Sequence, residues 1–319
     1  MVDNVLLIGG SGFIGTAVAE NLARRNIKFT VLSRSRVCPP RLIQVLKQSE
    51  DLGVYAHGDC RDKRLIDELI ARHSHIIHLA YANMWGVSSA DPSMELMDNL
   101  SCSAIVFESS ARHGKKMVLI SSGGTVYGSA GAIPISEKHP LAPISSYGLT
   151  KVAIENSAFH FSQTNGLQYM ILRPGNAYGI GQIPFRGQGF VATAIASVLR
   201  AESVRVFGRP GAVRDYVYIT DMAEAIAIAV GKGEYGTIYN IGSGQGHTND
   251  EILREVERLV AFDGLVVQKE YLPSRPQDVA SIILDSSRLA RKTSWHPKVS
   301  LTEGLERTYT WMKNYLHDL

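Results

Sequence analysis

The sequence predicts an α/β fold: a doubly wound parallel sheet with a smaller, interleaved α+β lobe for substrate. Three observations point to it. Short aliphatic runs alternate with helix-period stretches through the first half of the chain, a glycine triplet follows the first run directly, and the alternation breaks down after the run at 169–172.

Residues 5–8 read as a strand, 14–25 as a helix and 28–32 as a second strand. The pattern continues with strands at 54–57, 75–79, 117–121 and 169–172, separated by helices at 63–72, 94–112 and 146–163. Strands so uniformly aliphatic have to be covered on both faces, which only helices above and below a parallel sheet provide. Residues 176–213 are rich in Gly and aromatics and read as a lid without regular strands. Later helical patterns at 221–230 and 251–259 indicate the smaller lobe. The expected division is 1–175 for the dinucleotide-binding part, which also receives part of 214–245, and 176–319 for the substrate lobe.

Composition narrows the class. The chain has 319 residues, 45% hydrophobic and 20% charged, with a formal charge of +3 and no long basic stripe, so an enzyme-sized globular body that does not bind nucleic acid is expected. No stretch approaches the ~18 apolar residues of a membrane span, and a cytoplasmic location is expected. Cys38, Cys60 and Cys102 are odd in number and contain no CxxC pair. Reduced thiols, with neither disulfide nor zinc, are the expectation. His73, His75 and His78 straddle the entry to a strand, where alternate side chains point oppositely, and read as core histidines; no metal is expected.

Gly9, Gly12 and Gly15 form G-x-x-G-x-x-G between the first strand and the first helix. That is the Rossmann context: backbone approaches a pyrophosphate closely, and free helix N–H groups favour the anion. At the end of the second strand stands Leu32-Ser33-Arg34-Ser35-Arg36, with no acidic residue for ribose hydroxyls. Arg34 beside Ser33 suits a 2′-phosphate, which leans the cofactor from NAD towards NADP. The alternative is NAD beside a solvated basic turn. Asp59 sits where a strand end meets adenine, or else caps the helix after Arg61.

Tyr147 and Lys151 lie one turn apart on a helix start. A phenol is a poor base at neutral pH unless neighbouring positive charge favours its anion, as the Lys151 ammonium and a positive nicotinamide ring both would. The hydroxyls of Ser121-Ser122-Gly123-Gly124-Thr125 follow an aliphatic strand, at the sheet edge where ligands bind.

Taken together, the glycine triplet, Ser-Ser-x-x-x-Val-Tyr-Gly, Tyr147/Lys151, Arg173-Pro174-x-Asn176-x-Tyr178-Gly179, Arg214-Asp215-Tyr216-Val217 and Arg275-Pro276-x-Asp278 resemble the extended short-chain dehydrogenase/reductases. Within them the chain is similar to the UDP-glucose (UDP-galactose) 4-epimerases and their UDP-N-acetylhexosamine relatives. The resemblance implies Tyr147 as catalytic base and Lys151 on the nicotinamide ribose. It implies cofactor contacts at Phe13, Ile14, Cys60, Leu79, Ala80, Tyr81, Asn99 and Pro174. Asn176 would touch the sugar nucleotide, with Arg214 and Arg275 on its diphosphate. A homodimer through helices including 146–163 is also implied.

Three positions depart from that pattern. The family's catalytic serine or threonine is replaced by Gly123, so Ser122 or Thr125 has to substitute, or the reaction leans on Tyr147 alone. The acidic residue after the second strand is missing. No Asp-Glu pair precedes Val126-Tyr127-Gly128, which argues against a 4,6-dehydratase. Ile282 falls where the family controls room for an N-acetyl group and is neither small nor large. The expected activity is 4-epimerisation of a UDP-hexose or UDP-N-acetylhexosamine through a 4-keto intermediate. An NADPH-dependent 4-keto-sugar reductase is the alternative; a non-catalytic NADP sensor is the third, disfavoured by the intact Tyr147/Lys151 pair.

Overall fold

The structure, a computed structural model, describes residues 2–82, 91–275 and 278–317. Pro276 of the last sequence motif lies outside the described residues. In chain order the first half runs β1 (Asn4–Ile8), α1 (Phe13–Arg24), β2 (Lys28–Ser33), α2 (Pro40–Gln48), β3 (Gly53–His57), α3 (Lys63–Ala71), β4 (His75–His78), α4 (Pro92–Arg112), β5 (Lys116–Ile120), α5 (Ser146–Asn165) and β6 (Gln168–Pro174). The second half continues with β7 (Asn176–Tyr178), α6 (Phe190–Leu199), β8 (Val204–Phe207), β9 (Arg214–Tyr218), α7 (Ile219–Lys232), β10 (Thr237–Ile241), β11 (Gly246–His247), α8 (Asn249–Ala261), β12 (Lys269–Leu272), α9 (Ser287–Thr293) and α10 (Leu301–His317).

The main sheet is parallel in the order β10-β6-β5-β4-β1-β2-β3. β1 is central. Its Val5, Leu6, Leu7 and Ile8 are at most 1% exposed, because successive side chains enter opposite layers. Leu7 joins Val18 and Leu22 of α1, whereas Leu6 joins Phe107 of α4 and Ile154 of α5. Each such side chain contributes about 1.5–3 kcal/mol by leaving water. Chain order reverses between β1 and β4, and the carboxyl ends on either side of that switch form the crevice where ligands of such sheets bind. β10, from the late half, completes the sheet beside β6, so the two halves interleave.

The stretch 176–213 contains more regular structure than expected. Besides β7 and β8 it holds α6, whose Val191, Ala192, Ala194, Ile195, Ala196, Ser197 and Val198 are all buried. A helix buried on every side shows no polar face and therefore no helical period in sequence. α2 was also not anticipated; it opens on Pro40 after Pro39, a pair that reads as a break but suits the first turn of a helix. Strands β11-β9-β7 and β12-β8 form two further small sheets.

The cysteine expectation is corrected: Cys60 and Cys102 are joined in a disulfide, their Cα atoms 5.5 Å apart. The partners come from the loop after β3 and from the middle of α4, a contact that sequence spacing does not reveal. Cys38 is free. The three histidines are buried. His73 bonds Leu69 O and Thr30, His75 bonds Ser74, and His78 Nε2 bonds Ser103, so none forms a ligand cluster. Among the described residues no group of three His, Cys, Asp or Glu could hold a metal, and no helix is long and apolar enough to cross a membrane.

Candidate active site

β1 delivers the chain to Gly9, whose φ of +80° and close approach to the neighbouring strand exclude a side chain: a Cβ would stand 2.6 Å from the Ala80 backbone. Its N–H donates to Leu32 O at 2.9 Å, and Leu79 N–H donates to Ile8 O at 2.9 Å, which clamps the loop between β2 and β4. Gly12 is the N-cap of α1 and supplies no side-chain cap, so the first-turn N–H groups, including those of Phe13 and Ile14, are not taken up by a capping side chain. Gly15 packs on Gly10, letting helix and loop approach. This cradle fits the pyrophosphate of a dinucleotide. Behind it Ser11 and Ser33 share a hydrogen bond of 2.7 Å, and Arg34 is exposed at the strand end.

Asp59 takes neither role in full. It pairs with Arg61 at 2.8 Å, and the Arg61 hydrogen bond holds its carboxyl below the usual range. The cap of α3 is Asp62, which accepts from Arg64 N and Leu65 N. Cys60 is tied to Cys102. Asn99 is spent on the backbone after Tyr81: it accepts from Ala82 N at 2.7 Å and donates to Ala82 O and Glu95 O. It thus shapes the loop next to the cofactor cradle. Pro174, at the end of β6, accepts from Gly123 N at 2.8 Å.

Ser145 caps α5 by accepting from Gly148 N, and this launches Tyr147 and Lys151 into the crevice. Lys151 is 4% exposed, donates to Ile120 O at 2.9 Å, and stands 4.8 Å over the Tyr81 ring and 5.7 Å over the Tyr147 ring. The hydroxyl of Ser122 lies beside the Tyr147 phenol, where it favours the phenolate. Thr125 Oγ1 is buried with no hydrogen-bond partner, so the structure brings Ser122, not Thr125, to the phenol.

The glycine at the family's hydroxyl position is explained by space. A Cβ on Gly123 would lie 2.6 Å from a Leu284 methyl and 2.8 Å from Arg173 O. A Cβ on Gly124 would fall 3.4 Å from Asn176 Oδ1 and 3.8 Å from Ser122 Oγ, so those two polar groups flank one small opening.

Within the polypeptide, burial pushes Tyr147 up to about 12; the Ser122 hydroxyl pulls it back, and the Glu95 charge adds to the rise. Burial lowers Lys151 to about 8 against the attraction of Glu155. Burial therefore outweighs the Ser122 contribution, and Tyr147 needs positive charge beside it to ionise near neutrality.

In the second half of the chain, Arg214 donates to Val213 O and to Val279 O at 2.6 Å. Arg275 forks onto Asp278 at 2.9 and 3.1 Å and lies 4.4 Å over the Phe207 ring. The two guanidinium groups are close enough for Arg275 to lower the Arg214 pKa, although burial does more. Ile282 is fully buried in a small core with Val126, Tyr127 and Leu284. Residue patterns gave no sign of Glu95, which is 3% exposed beside Tyr81 and Ser146. Only its burial in a helix that also carries Asn99 marks it.

A profile of the NAD-dependent epimerase/dehydratase family matches residues 5–242. The chain belongs to that family. This epimerase/dehydratase chain is 30% identical over 334 residues to the UDP-glucose 4-epimerase of Halalkalibacterium halodurans, covering 98% of this chain and 96% of the relative. Its fold superposes on UDP-glucose 4-epimerase of Thermotoga maritima, solved with UDP-glucose, with a TM-score of 0.88, 30% identity and 98% and 99% of the two chains covered. The Thermus thermophilus UDP-glucose 4-epimerase, solved with NAD, gives a TM-score of 0.86 at 31% identity over 97% and 99%. The NADP lean drawn from Ser33 and Arg34 finds no support in these relatives, whose family is NAD-dependent.

Proposed function

We propose that the protein is a nucleotide-sugar 4-epimerase that works through a transient 4-keto sugar. The observation that carries this reading is buried Lys151, donating to Ile120 O at the carboxyl edge of β5 and standing 5.7 Å over the Tyr147 ring, with the Ser122 hydroxyl beside the phenol. The guanidinium groups of Arg214 and Arg275 match the forked geometry of a diphosphate and anchor the nucleotide end. Asn176 and Ser122 flank the opening left by Gly124, where the hexose C4 oxygen belongs. Tyr147 takes the C4 hydroxyl proton and returns it after the keto sugar has turned, and Ser122 bridges phenol and sugar oxygen. The bound oxidised nicotinamide supplies the hydride acceptor and the positive charge that favours the phenolate.

The glycine cradle and residues 1–175 hold the dinucleotide in this reading, and residues 176–319 cover the sugar nucleotide. NAD is the cofactor the reading adopts; Ser33 and Arg34 face its adenine ribose. A homodimer through α4 and α5 fits the exposed Met94, Met97, Leu149 and Phe159 on those helices.

Purified protein given UDP-glucose or UDP-galactose without added cofactor is expected to interconvert the C4 epimers, followed by NMR of the sugar anomeric protons. Tyr147→Phe is expected to abolish this with an unchanged melting temperature. A demand for stoichiometric NADPH and a keto sugar would replace the reading with a reductase. Turnover by Tyr147→Phe would remove the phenol from the mechanism.

A further inference from the structure

Glu95 is a carboxylate 3% exposed to water, set in the first turn of α4. One of its oxygens accepts from the Tyr81 hydroxyl at 2.6 Å and the other from the Ser146 hydroxyl at 3.0 Å. These two donors belong to different elements. Tyr81 follows β4, and Ser146 opens α5 immediately before Tyr147, so the carboxylate ties the cofactor edge of the sheet to the helix that carries the phenol.

The Tyr81 ring stands edge-on to the Tyr147 ring, centroids 4.8 Å apart and planes at 69°, while Lys151 Nζ lies 4.8 Å over the Tyr81 face. Tyr81 therefore fills the space between phenol and ammonium on one side, and Glu95 fixes Tyr81. We infer that Glu95 is a positioning residue: through Tyr81 and Ser146 it holds the Tyr147 ring in register with Lys151 and sets a negative charge on the α4 side of the phenol. The inference rests on reading Tyr147 as the acid/base group.

Charges around the phenol arrange themselves on two sides. From α5 comes Lys151, supported in turn by Glu155, which is itself paired with Arg173 of β6. From α4 comes Glu95, and from the end of β4 come Tyr81 and the neutral buried His78, which feels Lys151. Residues 83–90 contain no side chain that ionises near neutral pH. Among the described residues Glu95 reaches Tyr147 through the Tyr81 ring and through Ser146 beside it, and it adds to the rise in the phenol pKa. The consequence is a proton kept on Tyr147 until a cation arrives beside it, which restricts ionisation to protein loaded with an oxidised dinucleotide.

The test titrates Tyr147 directly. Protein with isotope-labelled tyrosine ring carbons is saturated with NAD, and the Tyr147 resonance is assigned by its loss in Tyr147→Phe. In Glu95→Gln the midpoint is expected to fall by about one pH unit, a tenfold gain in phenolate at a given pH below it. Glu95→Asp, which keeps the charge, is expected to return it towards the wild-type value. Should Glu95→Gln fail to fold, Tyr81→Phe serves instead: stripped of one hydrogen bond, the carboxylate repels the phenolate more strongly and the midpoint rises. A folded Glu95→Gln with an unmoved midpoint, or a Tyr81→Phe midpoint unmoved or lowered, would overturn the inference. Because the resonance reports ionisation without turnover, failure of the epimerase reading would show separately, as absence of epimer interconversion in wild type.

Discussion

At Tyr147 two opposing effects meet in one side chain. Burial and the Glu95 charge disfavour the phenolate, and the Ser122 hydroxyl beside it offsets part of that. The alternative hydroxyl, Thr125, has its oxygen buried and unbonded. Ser122→Ala is therefore expected to lower turnover by about 10²–10³-fold, the usual cost of one lost transition-state hydrogen bond. Thr125→Val should leave turnover near wild type and stability unchanged or slightly higher, since it removes a polar atom that bonds nothing. Restoring the family hydroxyl by Gly123→Ser is not expected to help. Its Cβ meets Leu284 and Arg173 O, and overpacking of that kind costs about 1–3 kcal/mol. Turnover and melting temperature measured on the three variants check all of this.

One scale up, the strand and helix that carry the site are joined by a buried ion pair. Glu155 of α5 and Arg173 of β6 are each 3% exposed, and the guanidinium forks onto both carboxylate oxygens at 2.6–3.2 Å. Ser121 donates to the same carboxylate, and Arg173 also donates to Tyr127, which donates to Asn240 of β10. The network locks β5, α5, β6 and β10 in one arrangement, which places the Ser121-Ser122 turn against Tyr147. Removing one partner leaves an uncompensated buried charge. Glu155→Gln is expected to lose about 3–5 kcal/mol of unfolding free energy in urea titration. A loss under ~1 kcal/mol would show that water or a rearranged partner satisfies Arg173.

For the molecule as a whole, buried histidines set the acid limit of stability. Burial lowers His73, takes His75 to about 4 and His78 to about 3, the last also repelled by Lys151. These groups bind protons more readily unfolded, with a reference pKa of about 6.5, than folded, so stability is complete above that value and falls as pH drops through it. Between pH ~6.5 and ~4 the loss is expected to reach several kcal/mol. Urea midpoints measured across that window check the slope, and His78→Gln should flatten it.

Much of this architecture was legible before any tertiary contact was known. The β-α alternation, the glycine turn and the Tyr147/Lys151 pair are local features: a period of two or of 3.6 residues, or a spacing of one helical turn, is written into neighbouring residues. α6 escaped because burial on all sides erases its period. The choice of Ser122 over Thr125, the Leu284 methyl in the space beside Gly123, the Glu95 clamp and the Cys60–Cys102 bond were decided only by the fold. Each joins residues distant in the chain, and periodicity tells which face a side chain takes without telling which remote group will fill the space beside it.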